Sequence, residues 1–256
     1  MSFIYYPAAG ALITALLAYN FKVGNIFRII NASIPELPRP KKSDRILVFA
    51  PHEDDEMIAA GGLIAESIKA GASIRVIIVT DGNKYGMKRF RYRESVNAGK
   101  IIGLSKEKIT FWNFKDGHLF KEANEMIRRM VIEISAFKPS IIVFPSPIDY
   151  HRDHSTLGTA ISSYLKGESW KGTKLQYLVH YPSYPYQKSY EPKAALMPPL
   201  ALFTKEHTKW RKFTLSKETM AAKEKAIDRY KTQLVMPALG KLIYSFIRKN
   251  ELFYMD

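Results

Sequence analysis

Short apolar runs that alternate with helical patterns occupy the chain from Arg45 onward, and they constrain its fold more than any other feature. "RILVFA", "SIRVIIV" and "SIIVFP" are continuous runs rich in Ile and Val, which is typical of strands buried on both faces. Amphipathic stretches between them predict βαβ units. We therefore expect an α/β fold: a Rossmann-like, mostly parallel sheet with helices on both faces, plus an N-terminal hydrophobic helix.

Three polar clusters directly follow predicted strands. They are "HEDDE" at residues 52–56, "TDG" at residues 80–82 and "DYHRDH" at residues 149–154. In open α/β sheets, ligands bind beyond the carboxyl ends of the strands. The fold is therefore expected to bring the first and third clusters together, although they are far apart in the sequence.

The residue types in these clusters suit a metal ion. The chain has no cysteine, which excludes disulfides and Cys-ligated zinc, so any metal must be held by His, Asp and Glu. His52 and Asp55 are three positions apart, as are His151 and His154, and such pairs can share one face of a helix or turn. One pair plus a histidine from the other cluster supplies three ligands and leaves a fourth position open, as in catalytic zinc sites.

Each cluster also has a simpler interpretation when it is taken alone. Acidic residues are favoured at a helix N-terminus by the helix dipole, so "EDDE" can be no more than a helix start. "HRDH" can be a solvated turn. The occurrence of both clusters at strand ends of one predicted sheet favours the metal site.

The chain is strongly basic, with 39 Lys and Arg against 24 Asp and Glu and a formal net charge of +15. This charge predicts attraction to anionic surfaces such as phospholipid head groups, nucleic acid or acidic glycans. No Arg/Gly-rich tract, helix-turn-helix pattern or RNA-binding motif accompanies it, so nucleic acid is not expected as a partner. No feature indicates an oligomeric state.

Residues 3–21, "FIYYPAAGALITALLAYNF", carry no charge and approach the roughly 20 residues that span a bilayer. Basic residues follow this segment and none precedes it. By the positive-inside rule, this order predicts a membrane anchor with the bulk of the chain in the cytoplasm. The alternative is a buried or amphipathic N-terminal helix docked on a soluble cytoplasmic protein.

The predicted organisation has three parts. Residues 1–34 form the N-terminal hydrophobic anchor and a juxtamembrane segment, and the proline-rich, charged stretch 35–44 forms a linker. Residues 45–256 form the catalytic domain. Within it, the Pro-, Tyr- and Ala-rich stretch 182–203 is predicted to be a long functional loop or lid.

The order of these motifs resembles the PIG-L/LmbE superfamily of zinc-dependent N-acetylglucosaminyl deacetylases. The resemblance is carried by "PHEDDE", "TDG", Arg91-x-x-Glu94, "DGHL" and "DYHRDH", and it continues through "KEKAIDRYKTQ" and the late "ELF". It extends from about Arg45 to the C-terminus. Glu53 and Arg152 stand where the family usually has proline. Neither change removes a ligand, and both are expected to alter the charge at the mouth of the site.

The resemblance implies a role for eight residues. Three of them would bind Zn²⁺: His52, Asp55 and His154. Asp54 would be the general base, and His151, oriented by Asp153, would stabilise the oxyanion or protonate the departing amine. Arg91 and Asp116 match positions that face the sugar and would bind substrate. Another divalent metal is possible, because His and carboxylate ligands also suit iron, cobalt or manganese.

The expected function is a zinc-dependent hydrolase that removes acetyl from an N-acetylglucosamine-containing substrate, with Asp54 activating the zinc-bound water. The anchor and the basic charge favour a lipid-linked or polymeric anionic substrate. One alternative is a zinc amidase of another N-acyl compound, such as an antibiotic or cofactor precursor, with residues 182–203 as its pocket wall. A second alternative is a non-catalytic, membrane-associated binding protein that retains the fold.

Overall fold

The computed structural model describes residues 25–83, 86–186 and 189–255. Its strands form one mixed sheet, and their bounds are β1 (Arg45–Ala50), β2 (Ser73–Thr80), β3 (Ile109–Phe114), β4 (Ile141–Pro145), β5 (Thr173–Tyr177), β6 (Trp210–Thr214) and β7 (Asn250–Tyr254). Their order across the sheet is β3-β2-β1-β4-β5-β7-β6. The strands β1 to β5 pair in parallel, and β7 pairs antiparallel with both β5 and β6.

Helices connect and cover these strands. The first, α1, is described over residues 25–33. The others are α2 (Asp55–Lys69), α3 (Lys88–Ile101), α4 (Ala123–Phe137), α5 (Arg152–Gly167), α6 (Leu200–Glu206), α7 (Lys217–Ile227), α8 (Lys231–Leu234) and α9 (Pro237–Tyr244). Short 3-10 turns lie at Lys106–Lys108, Leu119–Glu122 and His207–Lys209.

The central strand β1 is buried on both faces, as its continuous apolar sequence predicts. Its alternate residues Ile46 and Val48 belong to a core that includes α2 and α7, whereas Leu47 and Phe49 belong to a second core that includes α4 and α5. Successive side chains of a strand point to opposite faces, so one apolar run supplies both cores. This arrangement confirms an α/β fold with helices on both faces of a mostly parallel sheet.

The C-terminal part departs from the expected pattern. Strands β6 and β7 form an antiparallel pair with no clear signal in the sequence, because their short sequences mix polar and apolar residues. The sequence "LQYLVHY", residues 175–181, predicts a strand, but β5 ends at Tyr177. The basic sequence over residues 216–234 predicts a single helix, and a turn divides it into α7 and α8.

A buried ion pair joins this C-terminal part to α2. Lys223 Nζ lies 2.7 Å from Glu251 Oε1 and donates to the Ile58 carbonyl oxygen at 2.9 Å. The Glu251 carboxylate also accepts the backbone N–H groups of Gly62 and Leu63, at 2.7 and 2.9 Å. The pair thus fixes the middle of the helix whose first turn carries the acidic cluster.

The stretch after α1 lies along the edge strand β6. Leu37 N donates to the Lys212 carbonyl at 2.7 Å, and Lys212 N donates to the Pro35 carbonyl at 3.0 Å. Ile34 and Leu37 are buried in the first core. Backbone hydrogen bonds therefore attach the beginning of the expected linker to the sheet. The division of the chain at residues 34 and 44 stays a prediction.

The expected N-terminal hydrophobic helix, residues 3–21, lies outside the described residues. Within residues 25–83, 86–186 and 189–255, no helix has both the length and the apolar character needed to cross a membrane.

Candidate metal centre

A strained turn carries the first polar cluster. The chain leaves β1 at Ala50 and begins α2 at Asp55, and Asp54 between them adopts φ 118° and ψ −33°. A non-glycine residue with such a φ is costly and persists only where its surroundings over-determine it. The Asp54 backbone N–H donates to Glu56 Oε2 at 3.1 Å, which closes the turn. The side chains of Asp54 and Asp55 both line one cavity.

Asp149 organises the third cluster where β4 and β5 end. Its carboxylate accepts backbone N–H groups from His151, Val179 and His180, at 2.9, 2.9 and 3.0 Å. These bonds set the entry of the chain into α5, whose first turn contains His154. Because β4 is the neighbour of β1 in the sheet, this turn lies beside the first cluster, as the sequence predicts.

Three ligand-type atoms from the two clusters meet in a buried triangle. Asp55 Oδ2 lies 3.3 Å from His52 Nδ1 and 3.1 Å from His154 Nε2, and the two nitrogens are 3.3 Å apart. Tetrahedral zinc with bonds of about 2.0–2.1 Å requires ligand separations of about 3.3 Å. The donor set and its spacing therefore fit a zinc ion.

Each histidine of the triangle has a carboxylate behind it. His52 Nε2 lies 3.2 Å from Asp153 Oδ2 and 3.3 Å from Asp116 Oδ1. His154 Nδ1 has no hydrogen-bond partner in the described structure, and its nearest carboxylate oxygen is Asp149 Oδ2 at 3.5 Å. Carboxylates in this position fix the tautomer and ring orientation of metal-binding histidines.

The electrostatics of the triangle favour positive charge at its centre. Burial alone would raise the pKa of Asp55, but the charges and hydrogen bonds of His154 and His52 lower that pKa well below its usual value. Burial likewise opposes protonation of His154, whereas Asp55 and Asp149 raise its pKa to about 9. The negative charges of Asp55 and Asp149, which stabilise a proton on His154, would also stabilise a divalent cation.

Asp153 is expected to orient His151, but its carboxylate makes its contacts with other groups. Its carboxylate accepts the backbone N–H groups of Gly117 and Leu119, at 2.7 and 3.1 Å, and approaches His52. Contact with His151 runs through the backbone, because Asp153 N donates to His151 Nδ1 at 3.3 Å. The first turn of α5 directs the carboxylate inward, toward the "DGHL" loop, and so away from His151.

His151 lies beside the triangle, with its ring centroid 4.7 Å from that of His52. Burial, followed by the positive charges of His52 and His154, lowers the pKa of His151 to about 4. The resting imidazole is therefore neutral rather than protonated. Because Nδ1 accepts from Asp153 N, the proton of the neutral ring is assigned to Nε2.

Asp54 is not part of the triangle. Burial, followed by the neighbouring charge of Asp55, raises the pKa of Asp54 well above its usual value. The nearest cation is Arg91, whose Nη2 lies 3.9 Å from Asp54 Oδ2. A raised pKa suits a carboxylate that must accept a proton near neutral pH.

The cavity next to the triangle has a volume of 310 Å³ and both polar and apolar lining residues. The polar ones include Arg91 and Asp116, the two expected substrate contacts. The apolar ones come mostly from the stretch around α8 and α9, and they are Ile58, Met87, Val179, Val235, Met236, Leu239, Leu242 and Ile243. The stretch around α8 and α9 thus forms the pocket wall, and the described residues of 182–203 do not line it. The expected pocket wall over 182–203 is therefore wrong for its described residues, because α9 contributes Leu239, Leu242 and Ile243 to the cavity instead.

Glu53 and Arg152 are also placed differently from the expectation. Glu53 is 1 % exposed and turned inward, so it does not lie at the mouth of the site. Arg152 stacks over the Phe120 ring, with its guanidinium carbon 3.3 Å from the ring centroid. The carboxylate of Glu53 turns inward because its cationic partner, Arg91, lies inside.

Two residues without an assigned role belong to the site. Asp149 lies behind His154, and His180 places its ring centroid 4.9 Å from that of His154. One ligand atom each from Asp55, His154 and His180 lie within 4.8 Å of one another. Asp149 stands within "DYHRDH", and His180 follows β5, so a position at a strand end was the signal available for both.

Comparison with known proteins agrees with this site. Residues 47–165 match the family described as PIG-L: GlcNAc-PI de-N-acetylase. This match contains the first cluster, Arg91, Asp116 and the third cluster.

Solved structures share the fold at low sequence identity. A teicoplanin-pathway deacetylase triple mutant has a TM-score of 0.62 at 17% identity, over 82% of this chain and 97% of its own. Teicoplanin deacetylase in a zinc-inhibited form has a TM-score of 0.62 at 14% identity, over 82% and 97%. N,N'-diacetylchitobiose deacetylase from Pyrococcus horikoshii has a TM-score of 0.57 at 16% identity, over 93% and 92%. Residues 47–165 thus carry a PIG-L-type domain with the expected motif order and strand-end site, and the chain shares its fold with solved deacetylases.

Proposed function

We propose that this protein is a zinc-dependent hydrolase that removes the acetyl group from an N-acetylglucosamine-containing substrate. The observation that carries the proposal is the triangle of His52, Asp55 and His154, with the carboxylate of Asp54 beside it in one cavity. Three ligands with a separate carboxylate base are the parts that metal-assisted amide hydrolysis requires.

The ligand set would hold Zn²⁺ and, by donor type, also iron, cobalt or manganese. When bound, such an ion polarises the amide carbonyl and makes water a better nucleophile at neutral pH. The protein supplies the other groups. Asp153 and Asp149 orient the rings of His52 and His154, so the two ligand nitrogens face Asp55.

Asp54 acts as the general base in this proposal. It accepts a proton from the water that attacks the acetyl carbon, and its raised pKa makes the transfer favourable. As the C–N bond breaks, the same proton is delivered to the nitrogen, so that the leaving group departs as a neutral amine. The products are acetate and the free amino sugar, so Asp54 ends the cycle in its starting state.

His151 stabilises the oxygen on which negative charge develops. The assigned tautomer leaves Nε2–H free to donate, because Nδ1 accepts the backbone N–H of Asp153. A neutral imidazole can serve as such a donor, and one oxyanion donor contributes about 10²–10³-fold to the rate of acyl transfer. Arg91 and Asp116 also line the cavity and would contact the sugar.

A deacetylation assay tests the proposal. Released acetate is measured on soluble and lipid-linked N-acetylglucosaminides, with and without a chelator. We expect acetate release that a chelator abolishes and added zinc restores. Absence of acetate from every N-acetylglucosaminide, with zinc bound stoichiometrically, would exclude this function.

The apolar wall supports a substrate that also carries an apolar group. Of the polar residues on that wall, Thr232 directs its N–H and hydroxyl to Glu94, at 2.8 and 2.6 Å, and Gln233 Nε2 donates to the Thr232 hydroxyl at 3.0 Å. The wall therefore offers little hydrogen bonding to a sugar. A lipid-linked N-acetylglucosaminide would place its apolar part there, with each buried methylene contributing about 0.8 kcal/mol.

The same wall favours one second candidate, a zinc amidase that removes a longer acyl chain from another N-acyl compound. An N-acyl series from acetyl to octanoyl on one amino sugar distinguishes the two functions. The deacetylase predicts the highest kcat/KM for acetyl, and the amidase predicts a rise with chain length.

We also propose that the protein associates with membranes through residues 3–21 and its basic charge, with the catalytic domain in the cytoplasm. The uncharged segment and the basic residues after it support this. The full chain should remain with membranes after a wash in 1 M salt, where the Debye length of about 3 Å suppresses purely electrostatic binding. Complete release by the salt wash would contradict an inserted anchor.

A further inference from the structure

Glu53 is a buried carboxylate for which the proposed reaction has no use. It lies in the turn between β1 and α2, with 1 % of its surface exposed. Removal of such a charge from water costs several kcal/mol unless a partner compensates it. Its surroundings supply one such partner, Arg91.

The contact between the two side chains is mainly one of charge. Arg91 Nε lies 3.3 Å from Glu53 Oε2, and Arg91 Nη2 donates to the Glu53 carbonyl oxygen at 2.8 Å. Neither Glu53 Oε2 nor Arg91 Nε has a hydrogen-bond partner in the described part of the chain. Gly82 closes the other side, because a Cβ there would lie 2.2 Å from Glu53 Oε2. The carboxylate is therefore confined between Gly82 and Arg91.

The other end of Arg91 faces the catalytic cavity. Its Nη2 lies 3.9 Å from Asp54 Oδ2, and its Nη1 lies 3.9 Å from Asp116 Oδ2. Among the described residues that line the cavity, Arg91 is the single Lys or Arg. Asp54 and Asp116 both attract it, and attraction between charges increases as their distance falls. Glu53 is the carboxylate nearest to the guanidinium, with 3.3 Å between Glu53 Oε2 and Arg91 Nε.

We propose that Glu53 is a positioning residue that holds the Arg91 guanidinium back from Asp54 and Asp116. A guanidinium has five N–H donors, and in this position those not used by Glu53 can reach oxygen atoms of a substrate in the cavity. Asp54 meanwhile remains free of a direct ion pair and available to accept a proton. This inference rests on the proposed function in one respect, namely that the substrate enters this cavity.

The variant Glu53→Gln tests the inference in the zinc-loaded full chain, because it removes the charge and keeps the side-chain size. In crystal structures of wild type and variant, we expect the Arg91 guanidinium to move to a direct contact of about 2.7–2.9 Å with Asp54 or Asp116. On an N-acetylglucosaminide substrate, KM should rise about tenfold with a smaller fall in kcat, as expected for lost substrate binding. Glu53→Asp keeps the charge and should raise KM less.

Two further variants separate positioning from a general structural effect. Glu133→Gln also breaks a glutamate–arginine pair, with Arg75, away from the cavity, and it should leave KM unchanged. In the double variant Glu53→Gln/Arg91→Gln, KM should equal that of Arg91→Gln alone, because Glu53 acts only through Arg91. Multiplicative effects on KM would overturn the inference.

The crystal structures of wild type and Glu53→Gln test this inference independently of the proposed function. If wild type releases no acetate, the proposed reaction fails, while the position of Arg91 in the Glu53→Gln crystal still decides the role of Glu53. An unmoved guanidinium in that crystal would overturn the positioning role whatever the substrate is.

Discussion

His52 Nδ1 and His154 Nε2 lie 3.3 Å apart, although 102 positions separate the two residues in the chain. Each ring reaches this point from the carboxyl end of a different strand, β1 or β4, and the two strands are neighbours in the sheet. Asp55 completes the triangle from the first turn of α2. Two loops on adjacent strands thus create one ligand set.

The first prediction concerns metal retention. His154→Ala removes one of three ligands, so the purified variant should hold less than a tenth of the wild-type zinc after dialysis, an order-of-magnitude expectation for ligand loss. Metal emission spectroscopy measures the zinc content. His207→Ala is the matched control, because His207 is exposed and remote from the triangle. Full zinc occupancy in His154→Ala would remove this residue from the ligand set.

The second prediction concerns the base. Asp54→Asn cannot accept the proton from water, so kcat should fall by about 10²–10⁴-fold. Zinc content should stay at the wild-type level, because Asp54 is not in the triangle. Parallel metal analysis and acetate release measure the two effects. A wild-type rate for Asp54→Asn on a confirmed substrate would show that another group is the base.

The third prediction concerns the carboxylate behind His154. Asp149→Asn keeps one of the two oxygens that accept backbone N–H groups, and it loses the charge beside His154 Nδ1. Zinc affinity should fall by about 10–100-fold, as for other partners of metal-binding histidines. Competition titration with a chromophoric chelator measures it, and saturating zinc should restore most of the activity. Unchanged affinity would show that Asp149 only organises the loop.

The fourth prediction concerns stability. Glu251→Ala leaves Lys223 buried without its counter-ion. Because an unpaired buried charge is costly, the free energy of unfolding should fall by about 3–5 kcal/mol. Urea denaturation followed by circular dichroism measures the change. Glu218→Ala is the control: it breaks an exposed pair with Lys69, and exposed pairs contribute little. Equal effects from both variants would contradict the importance of burial.

Prediction from the sequence succeeded where a local pattern carries the information. The runs that form β1, β2 and β4 are apolar throughout, so their burial on both faces and their parallel pairing follow from composition. The short strands β6 and β7 were not predicted, because their sequences carry no clear pattern and each strand is stabilised by pairing with the other. The break between α7 and α8 was missed for a similar reason, since its residues continue a helical composition.

By itself, the sequence determined the α/β sheet, the placement of "HEDDE" and "DYHRDH" at strand ends, and the PIG-L-type order of its motifs. Only the tertiary structure decided the directions of the side chains. It turned Glu53 inward to Arg91, set Asp153 against His52, and brought α9 to the cavity as part of its wall. The reason is physical: periodicity and composition report which residues are buried, whereas the partner of a buried charge depends on elements that are distant in sequence. Composition can require that Glu53 be compensated, but only packing could make Arg91 the compensating residue.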